Sequence, residues 1–234
     1  MKNLVKLFLI VIAIMMATDK LFSQEFGIKA GFNSSNMHVV DDGSIVSEDF
    51  NMRTGFHIGA TVEFPLTEMF SLETGLLIST KGVISKELLT EEDMGFNFDY
   101  KVNLSPLYLD IPVTAKASSY IGGTKIYFVF GPYVGIGLSG KIKQEVSING
   151  ATTSEEIDIE WGSDIASSNF KRMDFGLIIG AGVELNSIQI GLNYSLGLAN
   201  ISPQTNVKIR NRVLGISVGY RFGKKRKLVN SKVL

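Results

Sequence analysis

The sequence has no cysteine, which excludes a disulfide framework, a lipoprotein anchor, a thiolate metal site and a cysteine nucleophile. Histidine occurs only at His38 and His57, and two separated histidines without cysteine leave no metal-binding cluster. The net charge is zero, from 23 basic and 23 acidic residues. There is accordingly no basic footprint for nucleic acid and no acidic tail. Proline is scarce, at 5 residues against 24 glycines. After residue 25 no apolar run approaches the ~18 residues a transmembrane helix needs.

The N-terminus carries the one longer apolar run. Lys2 and Lys6 precede Leu7–Ala17, the pattern of a secretory signal peptide. Residues 1–24 are read as that segment, with cleavage near 23–25. The run is too short to span comfortably as a permanent anchor helix.

What the chain does have is alternation. In Arg172–Leu185 (RMDFGLIIGAGVEL), Met173, Phe175, Leu177, Ile179, Ala181, Val183 and Leu185 share one face. Small residues with a charge near each end share the other. A strand points successive side chains to opposite faces, so this segment shows an unbroken apolar wall to one side. Seven more segments share the format: 26–33, 53–64, 70–81, 106–117, 125–139, 188–200 and 211–222. Pro112 falls inside the fourth and predicts a local bulge there. Strands of this length match a tilted crossing of the hydrocarbon layer.

The connections alternate as well. Those at 65–69, 118–124 and 186–187 are short, whereas 34–52, 82–105, 140–171 and 201–210 are long and polar. Short turns at one end and long loops at the other are the mark of outer-membrane barrels, with the turns in the periplasm. The expected fold is all-β, an eight-stranded antiparallel up-and-down transmembrane β-barrel over 25–223, in the outer membrane. A short basic tail follows at 224–234. Phe64, Phe70, Tyr220, Phe222 and Phe26 fall at the periplasmic strand ends, as an aromatic girdle would.

The runs GIKAGFN, LYLDIPVTAK, FVFGPYVGIGLSGK, MDFGLIIGAGVEL, NYSLGLANI and NRVLGISVGYRF occur in that order. Through them the chain resembles the PorT-like outer-membrane β-barrel family of Bacteroidetes over residues 26–222. The resemblance implies the barrel fold and no residue-level site. One member of that family is implicated in protein secretion through the type IX pathway, which makes an accessory role in export one implied function. The tail after Phe222 departs from the usual terminal aromatic residue.

The inward positions place Lys29, Glu63, Glu73, Lys116, Glu184 and Arg221 toward the periplasmic end. Lys81, Arg172 and Asp174 fall toward the outer end, and Asp110 is also inward. Eight strands enclose a space just wide enough for side chains, so opposite charges held there would pair. The expectation is a salt-bridged lumen that fixes register and blocks flow. A gated narrow conduit and a catalytic carboxylate cluster are the alternatives. His57 projects inward near the outer rim, the wrong side for an enzyme that reaches lipid A from the membrane face. No catalytic residue, cofactor or metal site is expected. The GxG spacings at 131–140 and 176–182 lack a following helix, which a nucleotide loop requires.

The loops are the remaining candidates. Loop three carries Glu155, Glu156, Asp158, Glu160, Asp164 and the single tryptophan, Trp161, as a partner-binding surface for a protein, glycan or divalent cation. Calcium lacks an EF-hand spacing here. VSING and EIDIEW within it alternate, which extends the flanking strands as a hairpin above the membrane. Loop two adds Glu91–Glu92 and the aromatic set Phe96, Phe98 and Tyr100. The expected role is that of a small non-enzymatic barrel, structural or partner-binding at the cell surface, embedded in outer-membrane lipid.

Overall fold

The computed structural model describes residues 24–46, 50–91, 96–148 and 150–222. The signal segment up to Ser23, the tail from 223 and the side chains of Glu91, Glu92, Phe96 and Phe98 lie outside the described residues. The strands are β1 (Glu25–Asp41), β2 (Ser44–Ile45), β3 (Asn51–Pro65), β4 (Phe70–Thr80), β5 (Val83–Glu91) and β6 (Phe96–Ile121). They continue with β7 (Thr124–Ile148), β8 (Ala151–Asp158), β9 (Met173–Leu185), β10 (Ile188–Gly197) and β11 (Val207–Phe222).

Eight of these close a ring in the order β1-β11-β10-β9-β7-β6-β4-β3, and β3 pairs back onto β1. Every pairing in the ring is antiparallel and between chain neighbours, apart from the closing pair of first and last strands. The fold is an eight-stranded up-and-down barrel. Closure removes the open edges that a flat sheet of such apolar strands would present. At one end the turns are tight. Gly122 and Gly123 take φ of +56° and +85°, the left-handed conformations of a two-residue hairpin whose twist matches its strands.

The alternation seen in the sequence maps onto this ring. Phe32, Phe128, Phe130, Ile179, Ile216 and Val218 all lie on the outer wall and are more than half exposed to the surroundings. A soluble protein would not tolerate so continuous an apolar surface; a lipid-facing wall requires it. Phe26 and Phe222 are register partners at the tight-turn end, and Tyr220 packs against Phe222 with ring centroids 5.0 Å apart.

Two expectations need correction. The bulge is not at Pro112: pairing of β6 with β7 keeps one register from Pro112↔Tyr133 to Ala115↔Phe130. Proline removes only a donor there, and its carbonyl still accepts from Thr74 Oγ1 at 2.7 Å. The register shifts instead at Leu107/Tyr108, which pair with Ser139 and Gly137 and leave Leu138 of β7 as the extra residue. A bulge of this kind reverses which residues face inward beyond it. Tyr127, Val129 and Tyr133 point in below it; Ile142 points in above.

The long loops also differ from expectation, because much of their length is strand. β1, β6 and β7 run well past the apolar belt, and loop two is largely β5 paired with the outer half of β6. β4 and β5 are one strand interrupted at Gly82. That residue has φ +126°, and a Cβ there would collide with Leu104 O, so only glycine fits. The β7–β8 hairpin rises above the ring as the alternation predicted, but β9 takes no part in it. Inside these extensions sits an apolar core of Met37, Val83, Ile142, Ile159, Phe170 and Ile201.

Candidate functional site

The lumen is filled by side chains in four storeys, set by the heights of inward positions on the strands. The lowest holds Glu25, Glu63, Glu73 and Glu184 with Lys29, Lys116, Lys125 and Arg221, four carboxylates against four cations. Lys116 Nζ lies 2.7 Å from Glu63 Oε2 and 3.4 Å from Glu73 Oε2, and 4.6 Å from the centroid of the Tyr127 ring. Lys29 Nζ lies 2.5 Å from Glu73 Oε1. The Arg221 guanidinium bridges Glu25, Glu63 and Glu184. Ser71 donates to Glu63 at 2.6 Å, and Gln189 to Glu184 at 3.1 Å. These four glutamates come from β1, β3, β4 and β9, so the network ties strands across the ring.

The second storey is neutral. Asn33 Nδ2 donates to Ser79 Oγ and to the carbonyls of Phe56 and Thr80, while Asn33 Oδ1 meets His57 Nδ1 at 2.8 Å. A cavity of about 80 Å³ adjoins these residues. His57 therefore sits mid-lumen, between the charged storeys, and not near the outer rim. Its partner is an amide, which supplies no nucleophile.

The third storey centres on Lys81, whose Nζ lies 2.8 Å from Asp110 Oδ1 and 3.0 Å from Asp174 Oδ2. Its ammonium also lies 4.5 Å and 4.6 Å from the ring centroids of Tyr108 and Tyr133, the range of a cation–π contact. Asp174 further accepts from Tyr133 Oη at 3.1 Å and Asn211 Nδ2 at 3.0 Å. Lys81, Asp174 and Asn211 are buried from all sides. Arg172 departs from its expected place: it is exposed, and donates to the Gly137 carbonyl at 3.1 Å. It stands one residue above the first strand position of β9, so its side chain clears the ring.

The fourth storey is an apolar lid. After β8 the chain turns inward through Ile159 and Trp161, and Trp161 stands edge-on to Tyr108 with centroids 5.4 Å apart. Trp161 also forms a bridge with Phe170. A Cβ on Gly137 would collide with the Trp161 ring, so that glycine is what admits the indole. Trp161 is thus a lid residue, half-buried, and not part of an exposed surface. Glu155, Glu156, Asp158, Glu160 and Asp164 are exposed. Lys141 pairs with Glu156 across the hairpin. Glu145, outside the membrane, takes hydrogen bonds from Lys101 and Lys143, which hold its carboxyl down to about 2.

Sequence reasoning missed several lumen residues. Glu25, Lys125, Tyr127, Tyr133 and Asn211 all follow the strand parity already in hand, and extending it to both strand ends finds them. Trp161 and Phe170 had no such signal, because they reach the lumen from a loop.

Among solved structures, the chain is similar to Ail, the attachment invasion locus protein of Yersinia pestis. It is 18% identical, covers 86% of this chain and 99% of that one, and has a TM-score of 0.35. Neisserial surface protein A is 12% identical over 84% and 97%, with a TM-score of 0.37. The translocator domain of autotransporter NalP from Neisseria meningitidis is 12% identical over 94% and 96%, with a TM-score of 0.29. No curated protein matches the chain. The sequence pattern of the outer membrane protein beta-barrel domain matches residues 22–202; the chain belongs to that family and resides in the outer membrane.

Proposed function

We propose that this protein is a closed, non-enzymatic outer-membrane barrel that holds a folded β-structure at the cell surface for a partner to bind. The observation that carries the reading is the filled lumen, two storeys of paired charge beneath an apolar lid. A conduit needs a continuous polar path; here the small cavity beside Asn33 and His57 lies between the Lys116 and Lys81 ion-pair clusters, with Trp161 over Tyr108 above them. Among the described residues His57 pairs with Asn33 and the buried carboxylates are held by ammonium and guanidinium groups, which supports a structural role for them. The salt-bridged cluster of Lys29, Glu63, Glu73, Asp110, Lys116, Asp174, Glu184 and Arg221 is, on this reading, a structural plug.

The surface offered to a partner is the β7–β8 hairpin. Among the described residues β8 pairs with β7 alone, which leaves one strand edge open, and such an edge is a template for another extended segment. Glu155, Glu156 and Asp158 on β8 favour a basic partner. A photo-crosslinking residue at Thr153 in intact cells tests this. A discrete adduct that disappears when Glu155, Glu156 and Asp158 are changed to Lys is expected; the same adducts with and without those changes would remove the hairpin from the reading.

The likeness to PorT-like barrels supports a second reading, an accessory to protein export in a Bacteroidetes cell, with residues 1–24 removed on secretion. A deletion strain should then lose selected secreted proteins. An unchanged set of secreted proteins ends that reading and leaves the first intact.

A further inference from the structure

The outward row of β11 changes chemistry partway up the strand. From Phe222 through Tyr220, Val218 and Ile216 to Leu214 it is apolar and exposed. The next three outward residues are Arg212, Arg210 and Lys208, all exposed. Their register partners on β1 are Asn36, His38 and Val40, and Arg212 also faces Leu196 of β10.

Height places the change. Ten residues separate Phe222 from Arg212, or ~33 Å of strand at ~3.3 Å per residue. A tilt of ~40° reduces that to ~25 Å along the membrane normal, the height of the apolar band on such barrels. Arg212 therefore stands where hydrocarbon gives way to headgroups on the side away from the tight turns.

Among the described residues no carboxylate pairs with Lys208, Arg210 or Arg212, whereas Lys101, Lys141 and Lys143 on the β6–β7 wall are paired with Glu145 or Glu156. The nearest acid in register, Asp41 opposite Val207, accepts from Asn206 Nδ2 at 3.0 Å. The local field is visible at His38, above the apolar band: burial lowers its pKa, and Arg212 and Arg210 lower it further.

We propose that Lys208, Arg210 and Arg212 form a binding surface for the phosphate groups of outer-leaflet lipid. Continuity with the lipid-facing wall selects this occupant, since the molecule whose chains cover Leu214 and Ile216 must set its headgroup against Arg212. Guanidinium forks match phosphate oxygens two at a time, and three cations on one face give the site its reach. The surface fixes the vertical position of the barrel as well as binding a lipid.

The test uses the folded full barrel in nanodiscs of phosphatidylcholine with a minority of diphosphoryl lipid A, and counts retained lipid A by native mass spectrometry. Near an anionic surface each cation is worth about a factor of five. The triple variant Lys208→Gln, Arg210→Gln, Arg212→Gln should therefore lose retention by about a hundredfold, and Arg212→Gln alone by about fivefold. The variant Lys141→Gln, Lys143→Gln should retain lipid A as the unmodified protein does. The single variant keeps the test open if the triple one fails to show the heat-modifiable band of a folded barrel. Equal retention by all variants overturns the proposal. So does equal retention of dephosphorylated lipid A, and so does displacement by inorganic phosphate, which would mark a free-anion site.

Discussion

The lower and upper halves of this barrel are built by opposite rules. Within the apolar belt the wall faces outward with Phe128, Ile179 and Ile216 and inward with Lys116, Glu63 and Asp174. Above Leu138 the sense reverses: Ile142, Val83 and Met37 point in, and Lys141, Lys143, Arg210 and Lys208 point out. The sheet thus continues above the membrane barrel through β1, β11, β5, β6, β7 and β8, without β9 and β10, into a structure with the inside-out sense of a soluble β protein. What differs is the solvent, since lipid reverses the preference of the outer face while leaving the backbone bonding unchanged.

Each half can be broken separately. The largest effect is expected from Lys116→Ala, which leaves Glu63 and Glu73 buried without their shared cation. Loss of one partner from a buried pair costs about 3–5 kcal/mol, read as a lower temperature for the unfolded gel form. Arg221→Ala acts on the same storey from a partly exposed position and should cost less. Next is Ile216→Arg, which puts a charge on the lipid face and should cost about 2–4 kcal/mol at mid-depth. An arginine two turns of alternation higher, at 212, is native; an Ile216→Arg protein as stable as the parent would break the lipid assignment of this wall.

Smaller effects belong to the upper half. Ile201→Val trims one methyl from the lid core and should cost about 0.5–1.5 kcal/mol, seen as faster proteolysis outside the membrane with the gel transition unchanged. A simultaneous loss of both would show that the halves unfold as one. Smallest is Glu145→Gln on the exposed hairpin wall. Its carboxyl is held to about 2 by Lys101 and Lys143, so the pairing persists as pH falls toward that value and is lost below it. Screening by water makes the pair weak, and a gel transition equal to that of the parent is expected.

The two halves also differ in how far the sequence discloses them. In the belt, a period of two with large apolar residues on one side is legible in segments such as Phe175–Leu185, and the tight turns confirm the strand order. The upper half hides for two physical reasons. Leu138 inserts one residue and reverses the parity of β7, so Ile142 looks outward to any reading that continues from Phe128. The alternation of VSING and EIDIEW makes the β7–β8 hairpin itself legible, but nothing in it tells which of its residues close over the lumen. Trp161 was legible as an unusual residue, but its position over Gly137 depends on a chain reversal that no local pattern encodes. Arg172 shows the opposite failure: the parity was right, and one residue of height carried it out of the lumen.

Ion current through the reconstituted full-length protein in a planar bilayer tests most directly whether the lumen is shut. The filled storeys predict no steady conductance at either polarity. A stable, long-lived current from the unmodified barrel would contradict them, and with them the reading of Lys116, Lys81 and their carboxylates as a plug.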